Sequence, residues 1–262
     1  MVRSSDEPIS SPDNPQVRLA RSLLDASGRR RQRAFLVEGL RLMEAAAEVA
    51  VPRLVLYAPP FGQRDARERR LLRTLQRATC PVRPVTRSVL AWVTDTVAPQ
   101  GIVAVMPFLG ARPVGAGGPA LVLILDSVGD PGNAGTLLRT AAGAGVTSVV
   151  ATKGTVDLYA PKVVRAGAGA HFLLDVHTDL EWDTLPGWLP TSCQVLLADA
   201  GAATPYWGVD WTGPSALVVS SEAHGASAGA RAGISGGVSI PSHRVESLNV
   251  AVAGSIILFE AA

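Results

Sequence analysis

Short apolar runs alternate with helical segments throughout the second half of the chain, and this alternation restricts the possible folds most. Ala120–Leu125 is nearly all apolar, which is typical of a strand covered on both faces in a parallel sheet. Further strands are predicted at 148–151, 172–176, 194–198, 217–219 and 238–240, with helices at 134–144, 159–166 and 248–260. Strands and helices in this order predict an α/β fold with an open, doubly wound parallel sheet.

The first half predicts a smaller α/β module. Its expected helices cover 15–24, 40–49 and 64–77, and its expected strands cover 34–37, 54–57, 82–85 and 102–106. Between the halves, 109–119 is crowded with Gly and Pro and has no periodicity, as a flexible connector would be. We therefore predict two domains, at 1–108 and 120–262, joined by a linker at 109–119.

Charge is distributed unevenly between the two halves. Residues 1–118 hold 18 Arg, no Lys and 10 acidic residues, a net charge of +8, whereas residues 119–262 hold 6 basic and 12 acidic residues, a net charge of −6. A basic half favours a polyanionic partner, because neutralising phosphates releases counterions. A GC-rich genome would explain Arg in place of Lys, but it would not explain the segregation of charge.

Composition excludes several other classes of protein. No apolar stretch reaches the ~20 residues of a membrane helix, and Met1–Pro12 is polar without the apolar core of a signal peptide. The two cysteines, Cys80 and Cys193, are isolated and suggest reduced thiols in a cytoplasmic protein. The four histidines lack metal-ligand spacing, so we predict no metal site.

Three patches in the second half each join a strand-like run to a short polar loop. The first runs from Asp126 to Gly135, with Asp-Pro-Gly-Asn at 130–133, and is followed by 136–140, which contain Arg139. The second is Ser-Ser-Glu-Ala-His-Gly at 220–225, and the third runs from Ile-Pro at 240–241 to Glu-Ser-Leu-Asn-Val at 246–250. Loops that follow parallel strands at their carboxyl ends are where α/β sheets bind ligands. Asn133 is also expected to cap a helix that begins near Ala134.

In order, residue type and spacing, the patches resemble the signature motifs of the SpoU-type (TrmH-like) RNA ribose 2′-O-methyltransferases of the SPOUT superfamily. The resemblance implies a deep trefoil knot and S-adenosyl-L-methionine as cofactor. It implies catalytic roles for Asn133, Arg139, Glu222, Ser247 and Asn249, and cofactor contacts from Ser220, Gly225, Ile240, Leu248 and Val250. The family's matching Arg is proposed as a general base. Since guanidinium rarely loses its proton, Arg139 could instead bind phosphate and stabilise the developing alkoxide.

The beginning of the chain resembles the substrate-binding domain that precedes many SpoU-type catalytic domains, which has a ribosomal-protein-like fold. This similarity is carried by Ile9–Arg18, the cluster at 29–33 and Phe-Leu-Val-Glu-Gly at 35–39. It implies RNA contacts from Arg29, Arg30, Arg31, Arg33 and Glu38.

The sequence thus predicts a ribose 2′-O-methyltransferase that acts on RNA, with ribosomal RNA as the first choice. Transfer RNA is the alternative substrate. A non-catalytic RNA- or ribosome-binding protein is the rival outside enzymes, because Ser220 replaces the family's Gly and the loop at 242–245 is one residue short. We also predict a homodimer, because apolar residues surround the last helix: Leu248, Val250, Val252, Ile256, Ile257, Leu258 and Phe259.

Overall fold

A computed structural model describes residues 7–114 and 121–262 of the chain. The described residues form two compact units. The first contains the chain up to Leu109 together with Tyr159–Arg165, and the second contains Gly110–Leu158 and Ala166–Ala262.

The first unit is built on a four-stranded mixed sheet in the order β1-β4-β2-β3. β4 pairs antiparallel with β1 and β2, whereas β2 and β3 are parallel. The strands are β1 (Ala34–Glu38), β2 (Leu54–Tyr57), β3 (Val82–Pro84) and β4 (Ile102–Pro107). The helices are α1 (Pro15–Ser22), α2 (Ala26–Gln32), α3 (Leu40–Val49), α4 (Ala66–Arg77) and α5 (Arg87–Val93).

α4 shows how sequence pattern determines burial in this unit. Leu71, Leu72 and Leu75 are buried on one side of the helix, as their spacing predicts, and the arginines of the other side are exposed. The helix begins at Ala66 because the Asp65 carboxylate accepts hydrogen bonds from the N–H groups of Arg67 and Glu68. These contacts also hold the pKa of Asp65 below its usual value.

The second unit is built on a six-stranded, fully parallel sheet in the order β10-β8-β9-β5-β6-β7. The strands are β5 (Leu121–Asp126), β6 (Ser148–Thr152), β7 (Asp175–Leu180), β8 (Gln194–Ala198), β9 (Ser215–Ser220) and β10 (Gly236–Val238). Its helices are α6 (Pro131–Gly143), α8 (Ala228–Gly233) and α9 (Val250–Glu260), whereas α7 (Pro161–Gly167) belongs to the first unit up to Arg165. The prediction of an α/β fold with a parallel sheet is confirmed.

α9 packs closely against α6. A side chain at Gly254 would lie 2.6 Å from the Leu137 side chain, so the two helices approach as closely as a glycine permits. The Thr140 and Ser255 hydroxyls form a 2.9 Å hydrogen bond across the same contact. α9 nevertheless leaves one side uncovered, since Val252, Ile256 and Phe259 are 49%, 36% and 61% exposed.

Several predicted boundaries were wrong. The helix expected at 15–24 ends at Ser22, because the buried Arg29 guanidinium donates to the carbonyl oxygens of Leu23 and Leu24 and stabilises a break there. β7 lies three residues later than expected, and the last helix begins at Val250 rather than Leu248. α2, α5 and α8 were not predicted.

The predicted linker at 109–119 lies only partly in the described residues. Its first residues pack on the second unit, where Val114 joins the core and Arg112 pairs with Asp175 at 3.1 Å. Residues 115–120 lie outside the described part of the chain.

Candidate active site

The three patches found in the sequence meet at the carboxyl edge of the parallel sheet. A cavity of about 240 Å³ opens there, at the ends of the adjacent strands β10, β8 and β9. Its walls come from five places: the end of β8 (197–200), the end of β9 and its loop (219–226), Arg231 of α8, the end of β10 and the stretch after it (238–248), and α9 through Val250, Ala253 and Ile257. This is where parallel α/β sheets bind ligands.

The first patch starts α6. The Asp130 carboxylate caps the helix by accepting the Asn133 N–H at 2.7 Å, and Pro131 occupies the first turn, where a missing N–H costs nothing. The expectation that Asn133 caps a helix starting near Ala134 was wrong. Asn133 belongs to the first turn of the helix, and its side chain is therefore free of a capping role.

A hydrogen-bonded cluster joins all three patches. The Asn249 side-chain amide donates to the amide oxygen of Asn133 at 3.0 Å and to the carboxylate of Glu222 at 2.9 Å. The same Glu222 oxygen accepts the Val250 N–H at 2.8 Å. Residues 116 positions apart in the sequence are thus in direct contact. A carboxylate at the start of α9 also stabilises the helix through its dipole.

The second patch forms a tight turn that shapes one wall of the cavity. The Gly225 N–H donates to the Ser221 carbonyl at 2.8 Å, and Gly225 has a φ of +67°, which favours glycine. Ser220 is the last residue of β9 and pairs with Asp126 of β5. Ser220, Glu222 and Gly225 all line the cavity, as do Ile240, Ser247, Leu248 and Val250 from the third patch.

The third patch leads into α9. Asn249 caps the helix, because its side-chain oxygen accepts the N–H groups of Ala251 and Val252 at 3.0 and 3.2 Å. The short loop before it is closed by the Ser242 hydroxyl, which donates to the Val245 carbonyl at 2.9 Å. Ile240 follows β10 rather than ending it, and Leu248 precedes α9.

Asp126 begins the first patch, but the sequence assigned it no role in the site. It ends β5, is 1% exposed, and accepts the Trp182 indole N–H at 2.8 Å. It also accepts the backbone N–H and the hydroxyl of Ser227 at 2.7 and 2.9 Å. A buried carboxylate with this many donors fixes the end of the second patch's loop. Its position directly after an apolar strand was the available signal.

Arg139 stands apart from the cluster. It is exposed on α6, six positions after Asn133, and it does not belong to the cavity wall. In the described part of the chain its side chain makes no hydrogen bond or ion pair with the cluster. An exposed guanidinium of this kind is available to an external anion.

The candidate RNA contacts of the first unit fall into two groups. Arg30, Arg31 and Arg33 are exposed. Arg29 is only 4% exposed, and Glu38 accepts hydrogen bonds from the Thr96 hydroxyl at 2.8 Å and the Gln100 N–H at 3.3 Å. Because their polar atoms are engaged in the interior, Arg29 and Glu38 stabilise the fold. RNA contact by Arg30, Arg31 and Arg33 stays a prediction.

The described residues do not support a metal site, a membrane-spanning helix or a reactive Cys193 thiol. Across residues 7–114 and 121–262, no group of three or more His, Cys, Asp or Glu side chains is placed to hold a metal ion. None of the helices described is both long and apolar enough to cross a membrane. Cys80 and Cys193 are free, and burial raises the pKa of the Cys193 thiol to about 11, so it is protonated near neutral pH.

Comparisons with known proteins agree with this geometry. Residues 120–259 match the SpoU rRNA Methylase family, and residues 14–104 match the MRM3-like substrate binding domain. Mouse mitochondrial rRNA methyltransferase 3 is 36% identical over 225 residues, which cover 64% of this chain and 53% of that protein. The chain therefore spans about half the length of this relative.

Two further proteins are similar. The Bacillus subtilis 23S rRNA (guanosine(2553)-2′-O)-methyltransferase RlmP is 33% identical over 172 residues, 64% of this chain and 66% of that protein. A crystal structure of an AdoMet-bound rRNA methyltransferase from Sinorhizobium meliloti superposes with a TM-score of 0.84 at 26% identity, covering 97% of each chain. Because the family match extends over more than half of its residues, the chain belongs to the SpoU rRNA Methylase family.

Proposed function

We propose that the protein transfers a methyl group from S-adenosyl-L-methionine to a ribose 2′-oxygen of ribosomal RNA. The observation that carries this proposal is the cluster of Asn133, Glu222 and Asn249, which joins the three patches beside a single cavity. The RlmP relative supports the 2′-oxygen as acceptor, and the AdoMet-bound structure supports the cofactor.

The residues of the cavity fit S-adenosyl-L-methionine chemically. Ile240, Leu248 and Val250 offer apolar surface for an adenine ring. Asp199, Glu222 and Glu246 line the same cavity and complement the two positive charges of the cofactor, on its sulfonium and its ammonium group. When bound, the cofactor supplies a methyl group that its sulfonium already activates.

The task of the protein is therefore to position the acceptor and to manage its proton. The Asn133 amide nitrogen has no acceptor among the described residues, so it is available to an oxygen of the acceptor ribose. The exposed Arg139 guanidinium binds a flanking phosphate and stabilises negative charge developing on the 2′-oxygen. Water or a phosphate oxygen then takes the hydroxyl proton. Glu222 positions Asn249 and the start of α9.

We propose that the first unit delivers the RNA. Its match to the MRM3-like substrate binding domain supports this role, as does the net charge of +8 on residues 1–118. Within it, Arg30, Arg31 and Arg33 are proposed as phosphate contacts. We retain 1–108 and 120–262 as the two functional domains, and a cytoplasmic location.

We also propose a homodimer that forms through α9. Three of its apolar side chains, Val252, Ile256 and Phe259, form an exposed stripe at helical spacing, which a partner subunit would cover. The deep trefoil knot implied by the family resemblance stays a prediction.

The test is to map 2′-O-methylation in total RNA from cells with and without the gene. We expect one ribosomal RNA position to lose its methyl group in the deletion strain and to regain it with the wild-type gene. Loss of a transfer RNA mark instead would identify the alternative substrate.

Calorimetry separates the enzyme from a non-catalytic binding protein. We expect S-adenosyl-L-methionine to bind with a roughly micromolar Kd, which corresponds to about −8 kcal/mol. No heat and no thermal stabilisation at millimolar cofactor would favour the non-catalytic RNA-binding protein.

A further inference from the structure

Arg231 carries the one cationic side chain among the described residues that line the cavity. It belongs to the short helix α8 and is exposed, whereas the preceding Ala230 is fully buried. Its guanidinium reaches the tight turn of the second patch: a methyl group added at Gly225 would lie 3.6 Å from Nη2 of Arg231. The positive charge of Arg231 is therefore at the wall formed by residues 221–225.

Two sets of contacts hold α8 in place. Ser227 caps the helix by accepting the Ala230 N–H at 3.1 Å and is itself anchored to the buried Asp126 carboxylate. Gly229 and Gly233 pack against the Trp182 ring so closely that an added methyl group would lie 2.8 and 3.1 Å from it. The base of the Arg231 side chain is thus fixed before any ligand arrives.

The guanidinium of Arg231 has unused binding capacity. Within the described parts of the chain it makes no hydrogen bond or ion pair, so all five of its N–H donors are available. The other charged residues of the cavity wall are Asp199, Glu222 and Glu246, all acidic. An anionic group of a ligand in this cavity would be repelled everywhere except beside Arg231.

We propose that Arg231 binds the α-carboxylate of the cofactor's methionine portion. This inference rests on the proposed function, in which the cavity holds S-adenosyl-L-methionine. That molecule has one anionic group, and a guanidinium pairs with a carboxylate through two parallel hydrogen bonds. The acidic residues then face the sulfonium and ammonium groups, so the charges of the wall match those of the whole ligand.

An RNA phosphate is the competing partner for this guanidinium. The cofactor is favoured because Arg231 lies in the cavity wall among three carboxylates and within residues 119–262, which carry a net charge of −6. That surrounding charge disfavours a polyanion but not a zwitterion with a net positive charge.

The test compares two ligands in calorimetry on the full-length protein. One is S-adenosyl-L-methionine, and the other is its decarboxylated form, which lacks only the carboxylate. Arg231→Gln is expected to weaken binding of the first by about tenfold to thirtyfold and of the second by less than about twofold. Arg231→Lys keeps the charge but not the paired donors and should give an intermediate loss for the carboxylated ligand alone.

Arg244→Gln is the matched control, because Arg244 is exposed in the neighbouring loop and does not line the cavity. It should bind both ligands as the wild type does. Equal weakening of both ligands in Arg231→Gln would overturn the proposal and indicate a distorted cavity. Unchanged cofactor affinity with weaker RNA binding would overturn it in favour of the phosphate. A wild-type protein that binds neither ligand would refute the proposed function itself.

Discussion

Asp126 and Ser227 lie 101 positions apart in the sequence, yet the Asp126 carboxylate accepts both the backbone N–H and the hydroxyl of Ser227. Because Asp126 ends β5 and Ser227 begins α8, one buried acid joins the centre of the sheet to the loop that carries Glu222 and Gly225. The wall of the cavity therefore depends on a residue that does not line it.

Asp126→Asn should destabilise the protein by about 2–4 kcal/mol, because an amide turns two hydrogens toward groups that are themselves donors. Urea denaturation followed by circular dichroism measures this change. Asp183→Asn, at an exposed position of the same unit, should change stability by less than about 0.5 kcal/mol. Equal stability of the two variants would show that the Asp126 contacts contribute nothing.

Asn249→Ala should lower both cofactor affinity and the rate of methyl transfer. The substitution removes the α9 cap, worth about 0.5–2 kcal/mol, together with the donor that Glu222 and Asn133 share. Asn249→Ser keeps a capping oxygen but not the amide donor, so it separates the two contributions. If the Ser variant is as active as wild type, the cluster matters only as a helix cap.

Features that follow from an apolar run or a motif could be predicted from the sequence. Features that depend on individual side-chain contacts could not. The strands β5 and β8 were predicted within one residue because continuous apolar runs end where burial ends. The end of α1 at Ser22 and the separate helix α2 were missed, because they depend on hydrogen bonds from the Arg29 side chain to backbone carbonyls that no periodicity shows. The three motifs indicated the cluster, whereas Arg231 stands in an Ala- and Gly-rich segment without periodicity, and only the folded chain brings it to the cavity.

Arg139→Ala should abolish detectable methyl transfer, with kcat lowered at least 10²–10³-fold, as is typical for loss of a charge-stabilising donor. Cofactor affinity should remain within about twofold, since Arg139 does not line the cavity. Single-turnover transfer of labelled methyl groups and calorimetry give the two values. Loss of cofactor binding with normal turnover at saturating cofactor would show that Arg139 acts on the cofactor instead.

Replacing Arg30, Arg31 and Arg33 by Gln should weaken RNA binding and reduce the slope of log K against log salt by about 2 to 3. Filter binding at salt concentrations from about 50 to about 200 mM measures this slope. The exposed α4 residues Arg69, Arg70 and Arg73 provide a matched triple variant. Equal effects of both triples would argue for diffuse attraction rather than a defined contact surface.

Phe259→Glu should convert the proposed dimer into a monomer, because it places a charge in the exposed stripe of α9. Light scattering at micromolar concentration should give twice the 27.2 kDa chain mass for wild type and the single mass for the variant. Val245→Glu, at a 57% exposed loop position, is the control and should remain dimeric. A wild-type mass near that of one chain would exclude the dimer.

α9 has two different faces within its 11 residues. Val250, Ala253 and Ile257 line the cavity, whereas Val252, Ile256 and Phe259 are exposed on the other side of the helix. A short helix moves as one rigid body, so a ligand that shifts one face shifts the other. In the proposed dimer, cofactor binding and self-association are therefore linked equilibria. Thermodynamic reciprocity requires that each changes the other's equilibrium constant by the same factor, so titrating either one reports on both.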